Sequence, residues 1–184
     1  MTGVPRVDEI QTPRLRMRRA VAADHEAFTA MNADPQVMRF FPAPLGQPGS
    51  DALADRIEAG FAERGFGMWT LERRSDRAFL GVAGLQPMRG DVPGAGQIEV
   101  GWRLAAYAWH NGYATEAAHA AVTVGFERLG LDEIWSLTAV LNEPSRAVMR
   151  RIGMHEVVRF EHPALPEGHP LRPHVSYRLE RPSA

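Results

Sequence analysis

Apolar and polar residues change period several times along the chain, and each change marks an expected element. Leu15 and Met17 alternate with Arg14, Arg16 and Arg18 after the turn signal Thr12-Pro13, the period-two pattern of a half-buried strand. Residues 22–32 carry Phe28 and Met31 at helical spacing and stop at Asn32-Ala33-Asp34-Pro35, because proline disfavours helix in the residue before it. A proline-rich loop is expected over 41–49. Ser50 then reads as the N-cap of a helix with Leu53, Ile57 and Phe61 on one face and Gly65 as its stop.

Two runs rich in strand formers, 68–72 and 79–85, flank the polar turn 73–77 and predict a hairpin. After a Gly/Pro-rich loop over 89–96, Ile98, Val100, Trp102 and Leu104 alternate with Glu99, Gly101 and Arg103, so Glu99 and Arg103 share one face of a strand. Residues 112–129 are alanine-rich, with Ala118, Val122, Phe126 and Leu129 at helical spacing, and small side chains let such a helix approach a sheet closely. A strand over 134–141, a helix over 144–152 with Pro144 in its first turn and Gly153 as stop, a strand over 157–160, a loop over 162–173 and a strand over 175–179 complete the order. That order predicts an α+β fold, one layer of sheet with helices on both faces. No repeat or linker divides the chain, so residues 1–184 are expected to form one domain, with 1–10 a flexible N-terminus.

Composition narrows the function classes. Apolar residues make up 45% of 184, enough for a sizeable core, and a net charge of −1 names neither nucleic acid nor an anionic membrane as partner. There is no cysteine, which excludes disulfides, thiolate metal sites and a cysteine-bound acyl intermediate. The first ten residues lack the apolar run of a signal peptide and no window reaches membrane-spanning length, so a cytoplasmic location is expected. His162, His169 and His174 fit no zinc spacing, and no metal is expected. The arginines of the first strand read as a solvated face.

The chemistry concentrates between the strand ending at Leu104 and the helix starting near Gly112. A short loop, a glycine and small residues at a helix N-terminus offer orphan N–H groups, the positive end of the helix dipole and room for close backbone approach, which suits a phosphate. Neither G-x-G-x-x-G nor a glycine followed by Lys-Ser/Thr occurs, so the rival phosphate-binding motifs are disfavoured. The segment Trp109-His110-Asn111-Gly112-Tyr113-Ala114-Thr115-Glu116-Ala117, with residues 97–104 before it and Asn142-Glu143-Pro144-Ser145, Val148 and Ile152-Gly153-Met154 after it, resembles the acetyl-coenzyme A signature of the GNAT superfamily. Its tryptophan-containing form resembles the RimJ/RimL-like branch, which acetylates N-terminal amines of ribosomal proteins. His110 and Asn111 depart from the residues usual there, and Met149 stands where members with a tyrosine acid carry it.

The resemblance implies a central, mostly antiparallel twisted sheet of six to seven strands. It implies acetyl transfer from acetyl-coenzyme A directly to a primary amine, in particular a protein N-terminal amine. A small-molecule acetyltransferase and a non-catalytic acyl-coenzyme A-binding module remain as alternatives. Glu99 is the first candidate for the base, against a solvated residue or a partner of Arg103. Ser145 would protonate or stabilise the departing thiolate, and Asn142 would contact the pantetheine amide; both also suit a helix cap. The backbone of Trp102, Arg103 and Leu104 would pair with pantetheine as an added strand. Trp109, His110, Asn111, Gly112, Tyr113, Ala114 and Thr115 would surround the pyrophosphate, although Trp109, Tyr113 and Trp102 equally suit packing. A homodimer is compatible with the branch, but the sequence carries no interface signature.

Overall fold

The structure, a computed structural model, describes residues 5–182. Twelve strands and α-helices follow in order: β1 (Glu9–Gln11), β2 (Leu15–Arg18), α1 (His25–Ala33), α2 (Gln47–Arg64), β3 (Met68–Arg73), β4 (Phe79–Pro87), β5 (Ile98–Leu104), α3 (Tyr113–Glu127), β6 (Glu133–Ala139), α4 (Glu143–Arg151), β7 (His155–Glu161) and β8 (Pro173–Glu180). They build the α+β architecture expected from the sequence, with one sheet in the order β1-β2-β3-β4-β5-β6-β8-β7. Eight strands replace the six to seven expected. Every neighbouring pair is antiparallel except β5 and β6, which are joined through the crossover helix α3.

Alternation along the strands separates two cores. Leu15, Met17, Trp69, Leu71, Leu80, Leu85, Val100 and Ile134 are buried together with Ala117, Ala118 and Ala121 of α3 and Val148, Met149 and Ile152 of α4. Alanines bring α3 close to the sheet, and a Cβ added at Gly125 would come within 2.6 Å of Ile134 Cδ1. On the opposite face Phe28, Met31, Val37, Met38 and Val82 pack with Leu53 of α2. Among the described residues no helix is long and apolar enough to cross a membrane.

Local expectations needed correction in several places. Helix α2 begins at Gln47, with extended Gly46 as N-cap and Pro48 pre-setting the first turn. Ser50 is therefore not the cap: it is buried inside the helix and its hydroxyl accepts from Asn32 Nδ2 at 2.9 Å. The segment expected to be a loose N-terminus is held from Val7 onward. Val7 is buried, its N–H donates to Gly65 O at 2.7 Å, its carbonyl accepts from Trp69 Nε1 at 3.0 Å, and Glu9–Gln11 pair with β2; residues 1–4 lie outside the described residues. The strand expected over 157–160 runs from His155 to Glu161.

The arginines of β2 are not simply a solvated face. Arg18 donates both Nη atoms to Asp24, at 2.7 and 3.0 Å, and Nε to Glu72 Oε2 at 2.9 Å, and both carboxylates are buried. Burial pushes the Asp24 carboxyl up, yet hydrogen bonds from Arg18 and the Val21 N–H hold it below its usual 3.8. Period-two reading identified the strand, but partners distant in sequence decided which way its polar face looks.

Removing one member of this buried network leaves uncompensated charge, so Asp24→Ala should lose about 3 kcal/mol in urea unfolding at pH 7. A carboxyl with a depressed folded pKa contributes stability above its unfolded pKa and loses it as pH falls through the folded value. Parent stability should therefore drop below about pH 3.8 through this group, and the variant should lack that component. Equal stability of the two at pH 7 would contradict the assignment.

Candidate active site

The site follows from how little β5 and β6 share. β5 pairs with β4 over its whole length, whereas its register with β6 is limited to Glu99 opposite Trp135. The N–H of Ala105 donates to Leu80 O at 3.0 Å, so odd-numbered residues of β5 turn their backbone toward β4 and even-numbered ones turn theirs toward β6. Val100 uses that side, its carbonyl accepting from Ser136 Oγ at 2.9 Å. Beyond it the N–H and C=O of Trp102 face an open cleft. The Leu104 carbonyl is closed off by the Trp109 indole N–H at 2.9 Å. Arg103 behaves differently from its two neighbours: its backbone faces Val82, and its guanidinium donates to Asn32 Oδ1 at 2.6 Å and stacks over Phe41. Burial brings its pKa down to about 10.

Because β5 and β6 are parallel, α3 after β5 and α4 after β6 both start at the same end of the cleft. Gly112 is the N-cap of α3 at φ +78°, a left-handed conformation that side chains disfavour. The N–H groups of Tyr113, Ala114 and Thr115 follow it, at the positive end of a 15-residue helix. His110, Gly112 and Thr115 line an open groove of about 840 Å³. The remaining candidates hold the turn. Asn111 donates through Nδ2 to Trp109 O at 2.7 Å, and its carbonyl accepts from Arg14 Nη1 at 2.8 Å. Tyr113 is buried beneath the Arg14 guanidinium, and Ala114 packs against the main core.

Glu116 locks this corner in place. It accepts from Thr12 Oγ1 at 2.6 Å, from the Arg14 N–H at 2.9 Å and from Arg14 Nε at 2.6 Å. Burial raises its pKa, but those three bonds bring it below the usual carboxylate value. The groove also takes Arg14, His119 and Arg151, which sequence reasoning missed. His119 lies one turn after Thr115, a legible signal; Arg151 at the end of α4 and Arg14 at the start of β2 are far away in sequence.

On the opposite face a second cavity, of about 340 Å³, lies between α2 and the sheet. Glu99 lines it beside Gln86, whose Nε2 donates to Glu99 Oε1 at 2.8 Å, with Ile57, Met68 and Leu137 as apolar wall. Burial raises the Glu99 pKa, and the Gln86 bond offsets part of the rise. Glu99 is thus not paired with Arg103, which lies farther along the same face of β5. His162 also lines this cavity and is not an ordinary surface residue: its ring packs 4.6 Å from that of His174, and burial lowers both pKa values. Its Nδ1 accepts the Ala164 N–H at 3.2 Å, which in the neutral ring leaves Nε2 as the protonated nitrogen.

Asn142 caps α4, its Oδ1 accepting from the Ser145 N–H at 3.3 Å, while its Nδ2 donates to Thr138 Oγ1 at 2.9 Å. Ser145 is half-buried on the first turn of α4 and does not line the Glu99 cavity. Met149 is 1% exposed and packs in the main core, so its position supplies no acid. Among the described residues no three His, Asp or Glu side chains converge as a metal site.

Comparison with known proteins identifies the family and the fold. The acetyltransferase (GNAT) domain family matches residues 14–155. The uncharacterized N-acetyltransferase YoaA of Bacillus subtilis is 25% identical over 149 residues, covering 80% of this chain and 82% of its own length. The FsC-acetyl coenzyme A-N(2)-transacetylase of Aspergillus fumigatus is 31% identical over 147 residues, covering 74% of this chain and 61% of its own. An acetyltransferase from Agrobacterium tumefaciens superposes with a TM-score of 0.78 at 26% identity over 95% of both chains. A putative ribosomal-protein-serine acetyltransferase from Vibrio cholerae, at TM-score 0.74 and 18% identity over 94% of this chain and 97% of its own, shares the fold.

Gly112→Val should weaken acetyl-coenzyme A binding by about tenfold or more in calorimetry, because a β-branched side chain resists φ +78° and fills the approach to the helix N-terminus. Circular dichroism controls for folding. Parental affinity in a folded variant would remove Gly112 from the coenzyme site.

Proposed function

Since the chain belongs to the GNAT acetyltransferase family and is an acetyl-coenzyme A-dependent N-acetyltransferase, we propose that it transfers acetyl directly to the N-terminal amine of a protein, as in RimJ/RimL-like enzymes. The observation that carries the catalytic part is Glu99, a carboxyl of raised pKa beside the open edge of β5. In the proposed reaction Glu99 takes the ammonium proton, and the freed amine attacks the thioester carbonyl carbon. The N–C bond forms, the Trp102 N–H polarises the carbonyl oxygen, and the C–S bond then breaks. The nitrogen's second proton passes to the departing thiolate, giving the free thiol, with the Ser145 hydroxyl stabilising the sulfur or relaying that proton. Glu99 keeps the first proton until it is released to solvent. Both substrates are bound at once, consistent with a chain that has no cysteine to carry the acetyl group.

Support for the coenzyme end comes from the left-handed Gly112, the N–H groups of residues 113–115 and the free backbone of Trp102. Support for a protein N-terminus is the likeness of residues 97–117 to that branch. A second reading, a small-molecule amine, is favoured by the 31% identical FsC-acetyl coenzyme A-N(2)-transacetylase. Mass spectrometry of N-terminal peptides, polyamines and aminoglycosides offered side by side separates the two. Peptide α-amines should be acetylated first, and acetylation of small amines alone would establish the second reading.

Glu99→Gln should lower kcat by about a hundredfold or more while leaving coenzyme affinity near parental. In the parent, the rate should fall as pH drops through the Glu99 pKa, above the usual 4.5, and that acid limb should vanish in the variant. A variant as fast as the parent at every pH would remove Glu99 as base.

A further inference from the structure

The Glu99 cavity has a lopsided charge. Three guanidiniums, Arg56 and Arg64 of α2 and Arg89 after β4, line it against one carboxyl, Glu99 itself. Most arginines of this chain lie against a carboxylate, but Arg56 and Arg89 have none within 4.0 Å among the described residues. Arg64 reaches only the exposed Glu63, and its Nε is buried without a hydrogen-bond partner. Farther along the same face of β5, Arg103 is held by Asn32 and Phe41, again without a carboxylate. Cations left unpaired around a concave, partly apolar site focus a positive field into it.

We propose that the acceptor amine carries an anionic group, in the first instance a carboxylate within two or three residues of the amine, which the cavity arginines Arg56, Arg64 and Arg89 bind. This rests on the reading that the Glu99 cavity receives the acceptor. A guanidinium matches a carboxylate with two parallel N–H donors and stays charged at every working pH, so the match does not depend on titration. The same field opposes polycations: a polyamine or aminoglycoside would bring further positive charge to a site with one carboxyl. It also favours the neutral form of a bound amine, which is the nucleophile, and an α-amine near pKa 8 needs less of that help than a lysine near 10.

The test measures acetyl-coenzyme A turnover, with product mass, on matched C-terminally amidated tetrapeptides Ser-Asp-Glu-Ala, Ser-Ala-Ala-Ala and Ser-Lys-Arg-Ala, with free glutamate and spermidine alongside. The acidic peptide should exceed the neutral one in kcat/KM by about tenfold and the basic one by about a hundredfold at low salt, the gaps closing as salt rises. The double variant Arg56→Glu, Arg89→Glu should reverse that order mainly through KM, with the KM for acetyl-coenzyme A near parental as control. If the basic peptide or spermidine is used as well as the acidic peptide, the anionic-acceptor inference fails while amine acetylation stands. If glutamate outperforms every peptide, the anionic group stands and the acceptor is an amino acid. If no probe is acetylated although acetyl-coenzyme A binds, the proposed function fails and this inference with it.

Discussion

The arrangement depends on β5 and β6 sharing a single rung. Elsewhere in the sheet each strand is bonded along most of its length, but the one parallel pair meets only where Glu99 faces Trp135. A parallel pair needs a crossover, so α3 packs on one face and feeds its N-terminus back to the end where the strands part. Ser136 marks the last tie, its hydroxyl replacing a backbone donor at Val100. Everything chemical then follows from position: an unpaired backbone edge at Trp102, a helix N-terminus at Gly112 and another at Asn142, and a carboxyl at Glu99 on the face away from α3. Were the two strands zipped together, there would be no edge for a ligand to join.

Charge is distributed according to that layout. Where carboxylates serve the fold they are saturated: Asp24 and Glu72 by Arg18, Glu116 by Thr12 and Arg14. Arg14 connects both uses, because it grips Glu116 while its other end stabilises the turn before Gly112 through the Asn111 carbonyl. Glu99 is the contrast, with a single amide partner and a raised pKa. A carboxyl left so lightly partnered in a cavity is suited to proton exchange rather than to holding strands together.

Much of the fold was legible in the sequence because β5 and α3 obey clean periods of two and 3.6, and the 68–85 hairpin sets two runs of strand formers around a polar turn. Strand Glu9–Gln11 was not, since three residues are too few to show a period, and the start of α2 moved because Gly46 and Pro48 form a cap that uses no side chain. At the site, Gly112, Thr115 and Glu99 could be read from local context. Three other roles could not: Asn111 as a turn brace, Arg103 as the partner of Asn32, and His162 as a cavity wall. Each depends on partners many residues away, from Arg14 opposite Asn111 to Asn32 beneath Arg103. Short-range patterns locate elements; they do not say which distant side chain turns a polar residue inward.

The central claim is that the open edge of β5 receives the coenzyme as an added strand. Amide hydrogen exchange, resolved to single residues with and without acetyl-coenzyme A, tests it most directly. Binding should protect the N–H groups of Trp102 and of Tyr113, Ala114 and Thr115 while leaving Arg103, already bonded to β4, unchanged. Protection that bypasses Trp102 and the start of α3 would contradict the account.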